Sequence, residues 1–386
     1  MLIVFFLAVV FSIYTYAGFP IILHLRATAF ARKAETVAAQ ITTDSSNASS
    51  DMPLPTVSVL VAAHNEADRL PIKLSSLRAL DYPTERLQIC IVSDGSSDDT
   101  VEWLQSQADI TWDHYEPAAG KPTALNRAVE LATGDFLVFT DARQMISANA
   151  VRALLSRFDD DQIGAVSGEL VLSDDGINEA ANIGLYWRYE KWIRMNEAKI
   201  FSTTGATGAL YAIRRADAIR LPADTLLDDF ETPIGLLKQG RRTVFEPAAK
   251  AFDAAETQAG KEFLRKSRTL AGNFQSFSRN RWLFSPAKNR VWWQFLSHKV
   301  ARLLVPYAML IAFVASALGQ GFFLSLMFWV QVALYAFGFA AIAFPQYAQS
   351  KYINIIKVFL TLNAAAVVGA YNYFTGQSSI RWKKSS

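Results

Sequence analysis

The chain has 386 residues, with 38 Lys and Arg against 35 Asp and Glu, 51% hydrophobic residues and one cysteine. A net charge of +3, with no basic stripe interleaved with aromatics, excludes a nucleic-acid binder, and a single cysteine excludes an internal disulfide. The hydrophobic share is high for a purely soluble protein, and its excess lies at the two ends, so it marks membrane segments attached to one large domain.

Residues 2–24 are almost wholly apolar and carry no charged side chain, enough to cross the roughly 30 Å hydrocarbon layer. A cleavable signal peptide is the rival reading; the run is long for one and lacks a basic leader. Arg26, Arg32 and Lys33 follow, which puts the downstream side in the cytosol. Residues 1–25 are therefore expected to be an anchor. Residues 26–55, rich in Ala, Thr, Ser and Asp and closed by Pro53 and Pro55, are expected to be a linker that begins as a helical extension of the anchor.

Residues 56–280 alternate short apolar runs with helical spacing, the signature of an α/β domain with a mostly parallel sheet. Strands are expected at Val57–Ala63, Leu87–Val92 and Phe136–Thr140. Helices are expected at Leu70–Leu80, Thr100–Gln107 (capped by Asp98 or Asp99), Pro122–Ala132 and Ala148–Phe158. A longer amphipathic helix is placed at Ile177–Ile200. Its aromatics Tyr186, Trp187, Tyr189 and Trp192 read as packing or membrane-facing groups, with a sugar platform as the other reading. Residues 202–215 form a small-residue loop feeding a strand. Leu226–Glu231 opens a helix that Gly240 ends, and Thr243–Pro247 reads as an edge strand stopped by its proline.

Lys261–Arg279 is a basic helix, and residues 281–298, rich in Trp and Phe beside cations, suit a membrane interface. Residues 299–376 hold two or three apolar segments, near 300–318, 321–344 and 352–374. The third carries Lys357 and three asparagines, so it either spans, with Lys357 snorkelling, or lies in the interface. A basic tail, 377–386, closes the chain.

Three of the apolar runs stop at polar, mostly acidic tips: His64-Asn65-Glu66, Ser93-Asp94-Gly95-Ser96 and Asp141-Ala142-Arg143-Gln144. Carboxylates at the carboxyl ends of such strands lie in the crevice where open α/β sheets bind ligands. Cys90 sits inside the second run and reads as a core residue.

Together these stretches resemble the inverting family 2 glycosyltransferases, in particular the membrane-bound cellulose-synthase-like branch, over about residues 55–280 and in the membrane layout. His64-Asn65-Glu66 looks like the family's first-strand motif. Ser93–Thr100 is similar to its D-G-S-x-D-x-T signature, and Gly120–Asn126 to its G-K-x-x-A-L-N element. The resemblance implies a GT-A-type, Rossmann-like sheet with transmembrane helices at both ends. It implies donor-binding roles for Glu66, Asp94, Lys121, Asn126, Asp141, Arg143 and Arg268, with Asp94 on the nucleotide base. Asp94 could instead shape an Asp-Gly turn, and Asn126 could serve packing.

Asp141 matches the first acid of the family's D-x-D motif, which places Mg²⁺ or Mn²⁺ on the donor diphosphate, but Arg143 stands where the second acid belongs. Arg143 would then supply part of the metal's charge, or pair with Asp141 or Asp229. Asp228-Asp229 matches the pair whose second member is the catalytic base, with Asp228 as fallback and helix capping as the bland alternative. Gly205 and Gly208 would admit the acceptor or simply form a turn. In the Q-x-x-R-W position stand Arg265 and Thr269, with Arg268 kept; Arg265 would face the acceptor, and the missing Trp argues against processive synthesis. The alternative for this helix is a basic face on anionic lipid.

The implied activity is transfer of a sugar from a nucleotide sugar, expected to be UDP-linked, to a lipid-linked or growing glycan in surface polysaccharide assembly at the inner plasma membrane. A processive polysaccharide synthase is the near rival, and a non-catalytic subunit keeping the fold is a rival of another class.

Overall fold

The computed structural model describes residues 1–41, 53–173, 185–254, 259–344 and 351–377. Its first helical stretch runs as α1 (Leu2–Ile13), a π-helical turn at Tyr14–Gly18, and α2 (Phe19–Ile41). Strands and helices then alternate: β1 (Val57–Ala63), α3 (Leu70–Arg78), β2 (Leu87–Asp94), α4 (Thr100–Gln105), β3 (Thr111–Tyr115), α5 (Lys121–Leu131), β4 (Phe136–Thr140), β5 (Met145–Ile146) and α6 (Ala150–Leu155). The domain continues with β6 (Ile163–Ser173), α7 (Leu185–Ile200), β7 (Leu210–Arg214), α8 (Asp228–Lys238) and β8 (Arg242–Ala254). Five further helices follow: α9 (Ala259–Arg279), α10 (Trp292–Gln294), α11 (Ala301–Leu318), α12 (Phe322–Ala343) and α13 (Lys351–Phe374). The chain divides into two units, one of Met1–Arg26 with Glu256–Ser378, the other centred on Ala27–Ala255.

The β-branched run of β1 is buried along its whole length, as a strand covered on both faces must be. Its alternate side chains feed two cores. Val57, Val59 and Val61 pack with Leu70, Leu74 and Leu77 of α3 on one face. Leu60 and Ala62 pack with Ala124, Leu125 and Ala128 of α5 on the other. Each large side chain so buried contributes about 1.5–3 kcal/mol. The eight strands lie in the order β3-β2-β1-β4-β7-β6-β8-β5. β3, β2, β1 and β4 are mutually parallel, whereas β7 runs antiparallel to both β4 and β6.

Several expectations change. The strand at Thr243–Pro247 is not ended by its proline: β8 continues to Ala254, pairing with β6 on one side and, at Ala251 and Phe252 only, with β5 on the other. A register shift between Ser167 and Glu169, opposite Phe245 and Lys250, takes Pro247 out of the ladder. The helix entering the domain runs on to Ile41, well into the expected linker. A helix long and apolar enough to span begins at Trp292, inside the 281–298 stretch expected to lie at an interface. Asp99 occupies the N-cap position of α4 without a side-chain cap bond, and it is Asp98 that accepts the Thr100 amide, at 3.1 Å. The helix placed at Ile177–Ile200 begins, among the described residues, at Leu185.

In the helical unit, four stretches are long and apolar enough to cross a membrane: Leu2–Phe30, Trp292–Leu318, Phe322–Ala343 and Ile355–Phe374. Small residues let them approach closely. Ala308, Ala312 and Ala315 pack against Phe5 and Ala8, and Gly369 meets the α9 backbone, where a Cβ would lie 2.9 Å from the Ser267 carbonyl oxygen. Tyr14 ties the first helix to the one beginning at Trp292. Its hydroxyl lies 2.8 Å from Ser297 Oγ and accepts the Trp293 indole N–H at 3.0 Å.

Candidate active site

Strand order reverses between β1 and β4, because the crossovers from β1 to β2 and β3 run one way and β4 lies on the other side of β1. The carboxyl ends of those two strands carry His64-Asn65-Glu66 and Asp141. Thr140 at the end of β4 pairs with Leu210 at the start of antiparallel β7, so the Gly205–Gly208 loop reaches the same edge. The Ala206 amide donates to the Asp229 carbonyl at 2.8 Å and brings the start of α8 beside that loop.

Lys121 is the centre of the cluster. It opens α5 directly after Gly120 (φ 97°), and its Nζ lies 2.8 Å from Asp141 Oδ1 and 3.1 Å from Asp228 Oδ2. Burial works to strip the ammonium of its proton, but Asp141 and then Asp228 outweigh it and hold the group well above the ordinary lysine range. Beneath, Tyr211 stacks on Phe139 at 4.6 Å, and burial, reinforced by Asp228, pushes its phenol well above the ordinary range. Asp228 and Asp229 lie in the first turn of α8, where the helix dipole favours anions. Gly208 makes room for the second of them: a Cβ there would lie 3.0 Å from Asp229 Oδ2. Arg194 of α7 donates to Thr207 Oγ1 at 2.6 Å, immediately before that glycine.

The structure places the other expected site residues as follows. Asp94 is fully buried, and its two carboxylate oxygens accept the amides of Ala119 and Gly120 at 2.6 and 2.8 Å. It fixes the loop that launches Lys121 at the α5 N-terminus, the arrangement its turn-shaping alternative describes. Gly95 makes this possible, with φ +58° and no room for a Cβ against Ala118. Asn126 donates to the Leu221 carbonyl at 2.8 Å and accepts the Leu221 amide at 2.9 Å, contacts of the kind a packing role requires. Arg143 pairs with Asp253 of β8, rather than with Asp141 or Asp229. Glu66 pairs with Arg69 at 2.9 Å; burial nevertheless raises its carboxyl above the usual range, Arg69 and Arg143 opposing. Arg265 and Arg268 are exposed on α9 and belong to the helical unit.

Two groups escaped the sequence reading. Lys73 of α3 is fully buried and donates to Thr140 Oγ1 at 2.7 Å and to the Gln144 carbonyl at 2.6 Å. A lysine on the apolar face set by Leu70, Leu74 and Leu77 was the signal. Asp253, which accepts from Arg143 and from Gln144 Nε2 (2.9 Å), is 3% exposed; an acid inside an alternating strand gives no comparable signal. Among the described residues, no group of three or more His, Cys, Asp or Glu could hold a metal ion. The side chain of Asp141 is 35% exposed, so the residues suit a cation that takes one protein carboxylate and draws its other oxygens from a diphosphate.

Comparison with known proteins accords with this geometry. Residues 58–221 match the model of glycosyl transferase family 2. A Staphylococcus aureus (strain MSSA476) protein named poly-beta-1,6-N-acetyl-D-glucosamine synthase is 32% identical over 116 residues, 29% of this chain and 28% of its own. A Bacillus subtilis (strain 168) protein named "Probable glycosyltransferase YdaM" is 30% identical over 238 residues, 57% of this chain and 56% of its own. The chain thus spans under a third of the first relative and about half of the second. The mannosyltransferase PcManGT from Pyrobaculum calidifontis, solved with GDP-Man and Mn²⁺, superposes with a TM-score of 0.69 at 19% identity, covering 97% of this chain and 99% of its own; the likeness is one of fold. The sheet is of the GT-A type, and the chain carries a glycosyl transferase family 2 domain over residues 58–221.

Proposed function

We propose that the chain is an inverting glycosyltransferase that moves a sugar from a nucleotide sugar to a lipid-linked or growing glycan acceptor. The observation that carries this reading is the pairing of two acidic tips, Asp141 and Asp228, through Lys121, with Asp229 next along α8 and Gly208 shaped around its carboxylate. Asp229 accepts the acceptor hydroxyl's proton as that oxygen attacks the anomeric carbon, and the nucleoside diphosphate departs from the opposite face. Lys121 neutralises the charge that develops on the departing diphosphate. A divalent cation bound with the donor would rest on Asp141 and add to that neutralisation. Glu66, at the neighbouring strand tip, lines the same switch-point crevice. Arg268 and Arg265 of α9 are assigned to the diphosphate and the acceptor, and Gly205 to the acceptor's approach, on the resemblance alone.

The four candidate spans and the cations after the first of them support a multi-pass inner-membrane protein with residues 56–280 in the cytosol. The Staphylococcus relative's name favours a second reading, a processive synthase of an aminosugar polymer. Against it stands Thr269, where processive members place a tryptophan. Nucleotide release by the purified chain in nanodiscs tests the proposal. UDP- and GDP-sugars are screened with membrane lipid extract, in Mn²⁺, in Mg²⁺ and in chelator. Lipid-dependent release of one nucleotide is expected, as a short addition rather than a polymer. No release and no nucleotide binding would leave the fold as a non-catalytic subunit.

A further inference from the structure

The turn Thr140–Gln144 carries Asp141 and Arg143, and it is held from two sides, by α3 beneath and by Asp253 of β8 on the flank. Lys73 Nζ reaches the Thr140 hydroxyl and the Gln144 carbonyl, at 2.7 and 2.6 Å, and so spans both ends of the turn from its buried side. On the flank, Asp253 accepts from Arg143 and from the Gln144 amide at 2.9 Å. Gln144 therefore links the two clamps, through its carbonyl to the buried cation and through its side chain to the buried anion.

We propose that Lys73 is the positioning residue of the donor-diphosphate site, a clamp that fixes the Thr140–Gln144 turn from its buried side, behind Asp141. This deepens the proposed function and rests on it. An isolated buried ammonium is costly, and a hydrophobic replacement of the same length would serve the core at least as well. Burial lowers this ammonium to about 7, against the field of Asp141, the largest effect holding its charge in place. A packing role alone gives no reason to keep a cation at this position. Holding a turn that bears one carboxylate, where Arg143 replaces the second acid, does. The clamp fixes where Asp141 meets the diphosphate.

The test compares the full chain in detergent with Lys73→Met and Thr140→Val. It reads melting temperature, affinity for UDP and for GDP by calorimetry with and without Mn²⁺, and donor KM and kcat. Lys73→Met is expected to melt at or above the parent's temperature while binding the preferred nucleotide about tenfold more weakly, with KM rising by a similar factor and kcat falling less. Thr140→Val, which keeps the charge and the Gln144 bond, is expected to change affinity less than about threefold. Equal nucleotide affinity in parent and Lys73→Met would overturn the inference while leaving the glycosyltransferase reading intact. A matched loss of melting temperature and of all activity would reduce Lys73 to a structural residue. A parent that binds neither nucleotide would instead overturn the reading on which the inference rests.

Discussion

Residues 27–255 hold 33 acidic and 22 basic side chains, whereas residues 256–386 hold 2 acidic and 15 basic ones. The two parts use cations differently. In the sheet domain three cations at the site are paired with carboxylates: Lys121 with Asp141 and Asp228, Arg143 with Asp253, Arg69 with Glu66. From Phe263 to the end of the chain there is no acid at all, so that stretch holds no carboxylate of its own to match its cations. Such an excess beside apolar helices suits the phosphate surface of a bilayer. Charge in the first region sets geometry; in the second it suits placement. Substitutions in the sheet domain should therefore act on chemistry or local stability, with no change in membrane association.

The largest expected effect is that of Asp229→Asn, which removes the base without changing size. Turnover should fall by about 10²–10⁴ with melting temperature and membrane association unchanged. Gly208→Ala comes next. Its Cβ, 3.0 Å from Asp229 Oδ2, should displace that carboxylate and cost up to about 10² in kcat, with donor affinity kept. Arg143→Met leaves the buried Asp253 carboxylate with the Gln144 amide, and should lower stability by about 1–3 kcal/mol, the arginine being over a third exposed. Adding Asp253→Asn should recover part of that loss, and chemical denaturation of the two variants reads the coupling. The smallest effect concerns Cys90. Burial pushes its thiol up to about 12 from an ordinary 9.0, so thiolate is scarce at pH 8 and a maleimide should label it only after unfolding. The associated stability is full below about pH 9 and is lost as pH climbs toward 12.

Strands β1, β2 and β4 were legible because their apolar runs are short, uniform and closed by polar tips, and the candidate spans because hydropathy alone marks them; β3 and β6 gave no such signal. β8 was not fully legible, since Pro247 reads as a stop and only the register shift opposite β6 carries the strand past it. The site was legible as an edge but not as a set of partners. Asp94, Asp141 and Asp229 announce themselves at strand or helix ends. That Asp94 accepts the amides of Ala119 and Gly120, and that Arg143 turns to Asp253, depends on which loops meet. Asp253 lies 110 residues from Arg143, and no local pattern links them. Lys73 did leave a trace, as the one cation on the apolar face of α3 formed by Leu70, Leu74 and Leu77.

The central claim is a single displacement in which Asp229 deprotonates the acceptor. It is tested most directly by the anomeric configuration of the first product, read by proton NMR coupling from an α-linked nucleotide-sugar donor. The account predicts a β-linked product that disappears with Asp229→Asn. A product that keeps the donor's α configuration, or one formed equally well without the Asp229 carboxylate, would contradict it.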